Sequence, residues 1–305
     1  MLNAQSQSNC SFRAGDDSPD VRLFDDIVSG PITTVVVVLG VIGNAKSIKL
    51  LAHTRINVKM ASSLIALAIW DIVLLVSSLG YYSLAASTHL FLRANWPFNR
   101  TAVFLHGVFA LANTISTWLL IEVTVRRFVA VARPLDWTAK ALVGKGTKRS
   151  RWKKTKTICA AARMPLILTF AAFIVNFPVS FELEVEDCLD VAAMTISQQI
   201  APSALRLHPL YKVYYRAILS AALKTLGPFV LISGLTVAMV VGMRRSFARR
   251  KDILDEQHQS SLCESDEDKK QTLQWISTIL LCKFMVFRCW PIILDVWEAA
   301  TLPSQ

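Results

Sequence analysis

Charged residues are scarce in this chain of 305 residues. They make up 18% of it, while 53% of it is hydrophobic. A soluble domain carries about 25% charged residues and does not reach a mean hydropathy of +0.43. The hydrophobic content also excludes a disordered chain, and six cysteines are too few for a disulfide scaffold of this length. The composition therefore predicts a polytopic membrane protein.

Motifs for catalysis and metal binding are also lacking. The five histidines are scattered and do not have the spacing of metal ligands. Glycine-rich phosphate loops and internal repeats are absent from the sequence as well. We therefore expect neither an enzyme nor a metal site. The net charge of +11 does not predict nucleic-acid binding, because most of the positive charge lies in two loops between apolar segments.

Six apolar stretches are long enough to cross a bilayer, which takes about 20 helical residues. They cover 31–53, 61–86, 103–131, 157–179, 213–243 and 272–299. The sequence thus predicts an all-α bundle of transmembrane helices over 31–300. A segment of residues 1–30 precedes this bundle, a partly disordered loop of residues 244–271 lies before the last span, and a short tail of residues 301–305 ends the chain.

Positive charge is unevenly divided between the two sides of these spans. One side carries twenty Lys and Arg residues, and the side of the N-terminus carries six. Basic loops remain in the cytoplasm, so the N-terminus is predicted to be extracellular. Two glycosylation sequons, at Asn9 and Asn99, fall on that external side. The external side is also acidic, which indicates either ordinary solvation or the attraction of a cationic ligand.

Two polar residues lie within the first two spans. Asp71 is surrounded by apolar residues in the second span, and Asn44 lies at a similar depth in the first. An ionisable group in the membrane costs a few kcal/mol unless it is paired or hydrated. One interpretation is a polar clamp between two helices. Another is that Asp71 also holds water or a sodium ion.

Three short motifs follow one another on the first three spans: Gly43-Asn44, Leu67-Ala68-x-x-Asp71 and Arg127-Phe128-x-Ala130-Val131-x-x-Pro134-Leu135. In order and depth they resemble the rhodopsin-like (class A) G-protein-coupled receptors. Two later features, Pro228 and Cys289-Trp290-Pro291, are similar to the proline motifs of that family's fifth and sixth helices.

Finer details are similar to one branch of these receptors, the FMRFamide-type peptide receptors of invertebrates and especially of nematodes. They are Asn176-Phe-Pro-x-x-Phe181-Glu182, Leu226-Gly227-Pro228-Phe229 and Leu294-Asp295-Val-Trp-Glu298. The resemblance implies a multi-pass receptor of the plasma membrane. Its expected partners are an extracellular cationic peptide, a heterotrimeric G protein and the lipid bilayer.

The resemblance also implies roles for individual residues. G-protein contact is expected of the inner end of the third span, at Arg126, Arg127 and Phe128. A polar network able to hold an allosteric sodium ion, the one cofactor that the resemblance implies, is expected at Asn44 and Asp71. The pivot of activation is expected at Pro228, Trp290 and Pro291.

The chain departs from the family pattern at several places. Arg126 occupies a position where the family has an acid, so the restraint on Arg127 must be absent or replaced. The family's cysteine at the outer end of the third helix is also missing, with Ala102 near its position. Cys188 therefore lacks its expected partner, and pairing with Cys10 is an alternative that the sequence leaves open. A seventh helix does not follow residue 300, so we expect a truncated gene model or a degenerate copy that does not couple as written.

Two other functions fit parts of the sequence. A chemosensory receptor of the same superfamily would share all of these motifs. A small polytopic transporter would also have six spans with charges inside the membrane, but such transporters tend to show two similar halves with broken helices.

Overall fold

The computed structural model of the chain describes residues 19–53, 58–92, 99–132, 151–190 and 195–256. Its α-helices are α1 (Pro19–Ile27), α2 (Thr33–His53), α3 (Val58–Ser78), α4 (Leu84–Leu92), α5 (Asn99–Ala132), α6 (Arg151–Asn176), α7 (Ala204–Leu207) and α8 (Gly227–Glu256). The wider turns of π-helix occupy Val28–Ile32, Leu79–Ser83, Tyr211–Leu219 and Ala221–Leu226, and a 3-10 helix occupies Phe177–Phe181. One hairpin joins β1 (Leu183–Asp190) to β2 (Thr195–Pro202).

Among the described residues, five helical segments are long and apolar enough to cross a membrane: Leu23–His53, Val58–Thr88, Asn99–Val129, Ala160–Phe181 and Tyr211–Gly242. They correspond in order to the first five predicted spans, and the all-α fold class is confirmed. The sixth predicted span, 272–299, lies outside the described residues. In the most apolar stretch of the third span 44% is buried, against 11% in the first. The third span is therefore well enclosed, while the first presents apolar side chains such as Val35 and Leu39 to its surroundings.

Two boundaries differ from the sequence-based expectation. Helix begins at Pro19, within the predicted N-terminal segment. It continues through Pro31 as a π-helical turn over Val28–Ile32. A wide turn of this kind tolerates a proline, which has no N–H to donate. At the other end, α8 continues to Glu256 and so takes in the first part of the predicted loop 244–271.

The described helices fall into two compact units. Among the described residues, the first comprises those up to 119 and from 156 to 216, and the second comprises those from 120 to 155 and from 217 onwards. In the first unit α2 packs along α3, and a core of Ile115, Leu119 and Ala172 is fully buried. The side chains around this core are Ala66, Leu67, Trp70, Leu111, Trp118 and Leu168. The second, third and fourth spans therefore share one packed centre.

In the second unit a wide turn precedes α8. The carbonyl oxygen of Ala222 points at Gly227, so closely that a side chain on residue 227 would overlap it. The next residue, Pro228, is buried and has no N–H for the preceding turn. Gly227 and Pro228 together therefore explain why a π-helical stretch gives way to regular α-helix at this point of the fifth span.

The β-hairpin was not predicted by the sequence analysis. It is antiparallel, with Leu183 opposite Pro202 and Asp190 opposite Thr195. Burial in β1 is uneven, since Leu183 and Cys188 are buried while Glu184 and Glu186 are exposed. The hairpin connects the end of the fourth span to the start of the fifth, and it thereby covers one end of the first unit with strands instead of a loop.

Candidate functional site

Side chains that bridge different elements gather at the end of the spans next to the β-hairpin. We call this group the hairpin end; its members are Tyr81, Tyr82, His106, Asn176, Glu182, Ser203, Tyr211 and Tyr215. Glu182 lies at its centre, directly after the 3-10 helix Phe177–Phe181. Only 5% of this glutamate is exposed.

Glu182 accepts two hydrogen bonds and has the His106 imidazole beside it. The phenol of Tyr211, on the fifth span, donates a hydrogen bond of 2.8 Å to Oε1 of its carboxylate. The imidazole Nε2 of His106, on α5, lies 3.9 Å from the other oxygen, Oε2. On the main chain, the N–H of Ser203 donates to the Glu182 carbonyl at 2.9 Å. Glu182 therefore joins the fifth span to the end of the hairpin and lies next to His106 of the third span.

The carboxyl group of Glu182 is ionised more readily than an ordinary glutamate. Burial raises its pKa, but this effect is outweighed by the nearby His106 imidazole, the hydrogen bond from Tyr211 and the positive charge of Arg216. The net pKa of Glu182 is lowered. At neutral pH the hairpin end therefore contains a buried negative charge whose main neutralising groups come from the third and fifth spans.

Aromatic rings surround this charge. Tyr81 packs edge-on against Tyr82, with ring centroids 4.6 Å apart, and lies 5.3 Å from the ring of His106. On the fifth span Tyr211 and Tyr215 stack at 4.7 Å, and the Tyr215 hydroxyl donates to the carbonyl of Val175. Tyr81 therefore lies beside His106, and Tyr215 packs against Tyr211.

A second polar contact lies deeper between α5 and α6. The Thr114 hydroxyl donates to Oδ1 of Asn176 at 3.2 Å, and Nδ2 of Asn176 donates to the Ala172 carbonyl at 2.7 Å. Both side chains are buried. Asn176 therefore fixes the last turn of α6, from which the chain enters the 3-10 helix and reaches Glu182.

The imidazole of His106 is the least satisfied group of the hairpin end. Both of its ring nitrogens are buried, and neither has a hydrogen-bond partner among the described residues. Its distance of 3.9 Å from Glu182 is too long for a hydrogen bond. An unsatisfied buried polar atom costs about 1–3 kcal/mol.

The exposed face of the hairpin is acidic. Glu184, Glu186 and Asp187 are exposed on β1, next to Cys188, which is 1% exposed and disulfide-bonded. All four acids, Glu182 included, belong to the acidic external side that the sequence predicts. The structure separates them, because Glu182 is buried and hydrogen-bonded while the other three remain in contact with solvent.

The opposite end of α5 carries the predicted G-protein contact. We call Glu122, Arg126, Arg127 and Phe128 the arginine end. Nε and Nη2 of Arg126 both donate to Oε1 of Glu122, at 2.9 and 2.5 Å. Arg127 and Phe128 are half-buried. Arg126 therefore has an acidic partner one helical turn earlier, which the sequence analysis did not identify although the spacing of four residues is typical of such pairs.

The remaining predicted site residues lie on several elements or outside the described residues. The hydrogen bond of the Asn44 amide goes to Gly40 of its own helix, at 3.1 Å, and Asp71 is half-buried on α3. The sodium site at Asn44 and Asp71 stays a prediction. The predicted residues Asn9, Cys10, Trp290 and Pro291 lie outside the described residues.

Asn99, the second candidate for glycosylation, is the first residue of α5. Its amide nitrogen donates to the carbonyl of Gln198 in β2 at 2.7 Å. The same nitrogen would carry a glycan, so glycosylation would compete with this contact. Modification of Asn99 stays a prediction.

Two known proteins are similar to this chain over most of its length. It is 26% identical to the probable G-protein coupled receptor frpr-1 of Caenorhabditis elegans over 231 residues, which cover 73% of this chain and 59% of that protein. It is also 26% identical to the FMRFamide receptor of Drosophila melanogaster over 281 residues, 89% of this chain and 46% of that protein. These similarities indicate a relationship to G-protein-coupled receptors.

These similarities cover part of each relative. The chain spans about half the length of the curated relatives it matches. No protein-family model matches it. Both relatives are named as receptors, and the five apolar helices agree with a multi-pass membrane protein.

Proposed function

We propose that this chain is a G-protein-coupled receptor of the rhodopsin-like class that binds a peptide of the FMRFamide type. The observation that carries the proposal is its similarity, across 73% and 89% of its length, to two receptors, one of them named for FMRFamide. The motifs on the first three spans support the same class.

The hairpin end is proposed to face the outside of the cell. The distribution of Lys and Arg supports this orientation, with twenty on the opposite side and six on this side. The disulfide at Cys188 supports it as well, because disulfides form and persist in oxidising surroundings. The arginine end would then lie at the cytoplasmic surface.

The exposed acids of β1 are proposed to attract the peptide. Glu184, Glu186 and Asp187 extend from the hairpin, and a cationic peptide would be drawn to them over a distance of about 8–10 Å at physiological salt. The buried Glu182 and its partners would hold the hairpin in place beneath the bound peptide.

In a form of the receptor that couples to a G protein, signalling is proposed to run through the arginine end. Arg126, Arg127 and Phe128 would contact the G protein, with the ion pair to Glu122 neutralising Arg126. Pro228 would contribute to the pivot, together with Trp290 and Pro291. A sodium ion at Asp71 would modulate the receptor, and Asp71→Asn would remove any effect of sodium on peptide affinity.

Peptide binding is the property to measure first, because the chain spans about half the length of its relatives. The 305-residue chain, carrying an N-terminal epitope tag, would be expressed in cultured cells and incubated with fluorescent FMRFamide. Unlabelled FMRFamide should displace the label, and the same peptide with glutamate in place of arginine should not. A chain that reaches the cell surface without saturable binding would contradict the proposal.

The tag also tests orientation. An antibody against it should stain intact cells if the N-terminus is outside, and only permeabilised cells if it is inside. Staining that requires permeabilisation, in cells where surface biotinylation labels the chain, would reverse the proposed orientation.

A further inference from the structure

His106 has a geometry that its present contacts do not explain. Both ring nitrogens are buried without a hydrogen-bond partner in the described part of the chain, and Nε2 lies 3.9 Å from Glu182 Oε2. The Tyr211 hydroxyl binds the other oxygen, Oε1. An acceptor atom and a potential donor therefore face each other just beyond hydrogen-bonding distance.

A neutral imidazole can offer only one N–H, and which nitrogen carries it is set by its partners. A protonated imidazole offers an N–H on both nitrogens. Movement of the ring by about 1 Å would bring Nε2 within hydrogen-bonding distance of Oε2. The bond formed would be charge-assisted, which makes it stronger than a bond between neutral groups.

The ring of His106 is faced by one acid and lies in a region with several other titratable or charged side chains. Glu182 is the acid that faces it. The other titratable or charged side chains of this region come from the second span, α7 and the fifth span: Tyr81, Tyr82, Arg206, Tyr211 and Arg216. The pKa of Glu182 is lowered, so this carboxylate remains available as an acceptor in the range where histidine titrates.

We propose that His106 and Glu182 form a proton-operated latch at the hairpin end. Protonation of His106 closes the bond to Glu182 and ties α5 to the start of the hairpin. Deprotonation removes the positive charge, so the bond loses its charge assistance and Tyr211 remains the main donor to the carboxylate. With the hairpin end outside the cell, as proposed above, the proton would come from the extracellular medium.

Closure of the latch has a defined effect on stability. A partner that is gained on protonation stabilises the folded state at low pH, and this contribution disappears as the pH rises. The melting temperature of the chain should therefore be higher at pH 5.5 than at pH 8. The measurement needs no ligand, so its outcome is independent of the proposed function.

The test is thermal unfolding of the purified chain in detergent, followed by tryptophan fluorescence between pH 8 and pH 5.5. We expect the melting temperature to rise by about 2–4 °C on acidification. His106→Gln should abolish the rise. The matched control is His208→Gln, because His208 is exposed next to α7, and this variant should keep the rise.

Two further variants identify the partner. Glu182→Gln removes the negative charge and should abolish the rise; Tyr211→Phe leaves Oε2 in place and should preserve it, even if its melting temperature is lower throughout. If Glu182→Gln does not fold, the histidine signals of the isotope-labelled chain decide. A signal that is lost in His106→Gln and titrates between pH 5 and 8 supports the latch. A flat pH response of the unmodified chain, or a full response in His106→Gln, would overturn it.

Discussion

The two ends of α5 are stabilised in different ways. At the hairpin end, described side chains hydrogen-bond across elements, as Tyr211 does with Glu182 and Asn99 does with the Gln198 carbonyl. At the arginine end, the described ion pair joins Glu122 to Arg126 within a single helix. Contacts across elements fix tertiary structure, whereas a contact within a helix reinforces only that helix. The hairpin end is therefore the part in which side-chain substitutions should disturb the fold most.

The difference also has a functional meaning. A rigid arrangement of side chains suits the recognition of a ligand, because less conformational freedom is lost on binding. The described ion pair of the arginine end lies within one helix, so a movement of that helix as a unit would leave the pair intact. That property suits a segment proposed to move when a signal is passed.

Loss of the central carboxylate should have the largest effect. Glu182→Ala removes the acceptor of the Tyr211 bond and leaves that hydroxyl without its partner. We expect the free energy of unfolding to fall by about 2–3 kcal/mol, the range for a buried hydrogen bond to a charged group. Thermal unfolding of the purified chain would measure it. Glu184→Gln, on the exposed face of β1, should change stability by less than about 0.5 kcal/mol.

Two asparagines test the contrast within the first unit. Asn176 is 3% exposed and bonds to Thr114 on another helix, whereas Asn44 bonds to Gly40 of its own helix. Asn176→Ala should cost about 2 kcal/mol, because it also leaves Thr114 without this acceptor. Asn44→Ala should cost less than about 0.5 kcal/mol. Equal losses of melting temperature in the two variants would contradict the expected difference between a contact across helices and a contact within one helix.

The ion pair of the arginine end should contribute less. Glu122→Gln removes the charge that faces Arg126, and we expect a loss of about 1 kcal/mol. This lies between the value for an exposed pair on a helix and that for a buried charged bond. A double-mutant cycle with Arg126→Gln isolates the coupling. Coupling as large as that between Glu182 and Tyr211 would remove the difference between the two ends.

Acid should weaken the hairpin end through Glu182. Its pKa is lowered in the folded state from the ordinary value of 4.5. The stabilisation of the folded state by the ionised Glu182 is therefore complete above pH 4.5. It is lost as the pH falls through the lowered pKa of this residue. Unfolding measured between pH 6 and pH 3 should show this loss in the unmodified chain and in Glu184→Gln. In Glu182→Gln the loss should be smaller.

Sequence reasoning predicted the helices well and the contacts between them poorly. The apolar stretches marked the first five spans because a bilayer requires a certain length of apolar helix. The pairing of Glu122 with Arg126 was readable from their spacing. The burial of Glu182 could not be predicted in this way, because the neighbouring Glu184 and Glu186 are the same residue type. The three glutamates differ only in where the folded chain places them.

The hairpin itself illustrates the same limit. Strand pairing depends on contacts between residues such as Glu184 and Ala201, which lie far apart in sequence. Leu183-Glu184-Val185-Glu186 alternates between apolar and acidic residues, as a strand does, but the pattern is short and breaks at Asp187. The structural consequence of the hairpin, the separation of one buried acid from three exposed ones, could be seen only once the register was known.

Peptide affinity in paired variants tests the central claim most directly. Surface-expressed chains would carry either Glu184→Gln, Glu186→Gln and Asp187→Asn together, or Arg126→Gln alone, and fluorescent FMRFamide would be titrated onto each at low and at physiological salt. The proposal predicts that the triple variant weakens binding by about 10-fold at low salt and by less at higher salt, while Arg126→Gln changes it by less than about twofold. Unchanged affinity in the triple variant, or an equal loss in Arg126→Gln, would contradict the account of the hairpin end as the ligand-binding side.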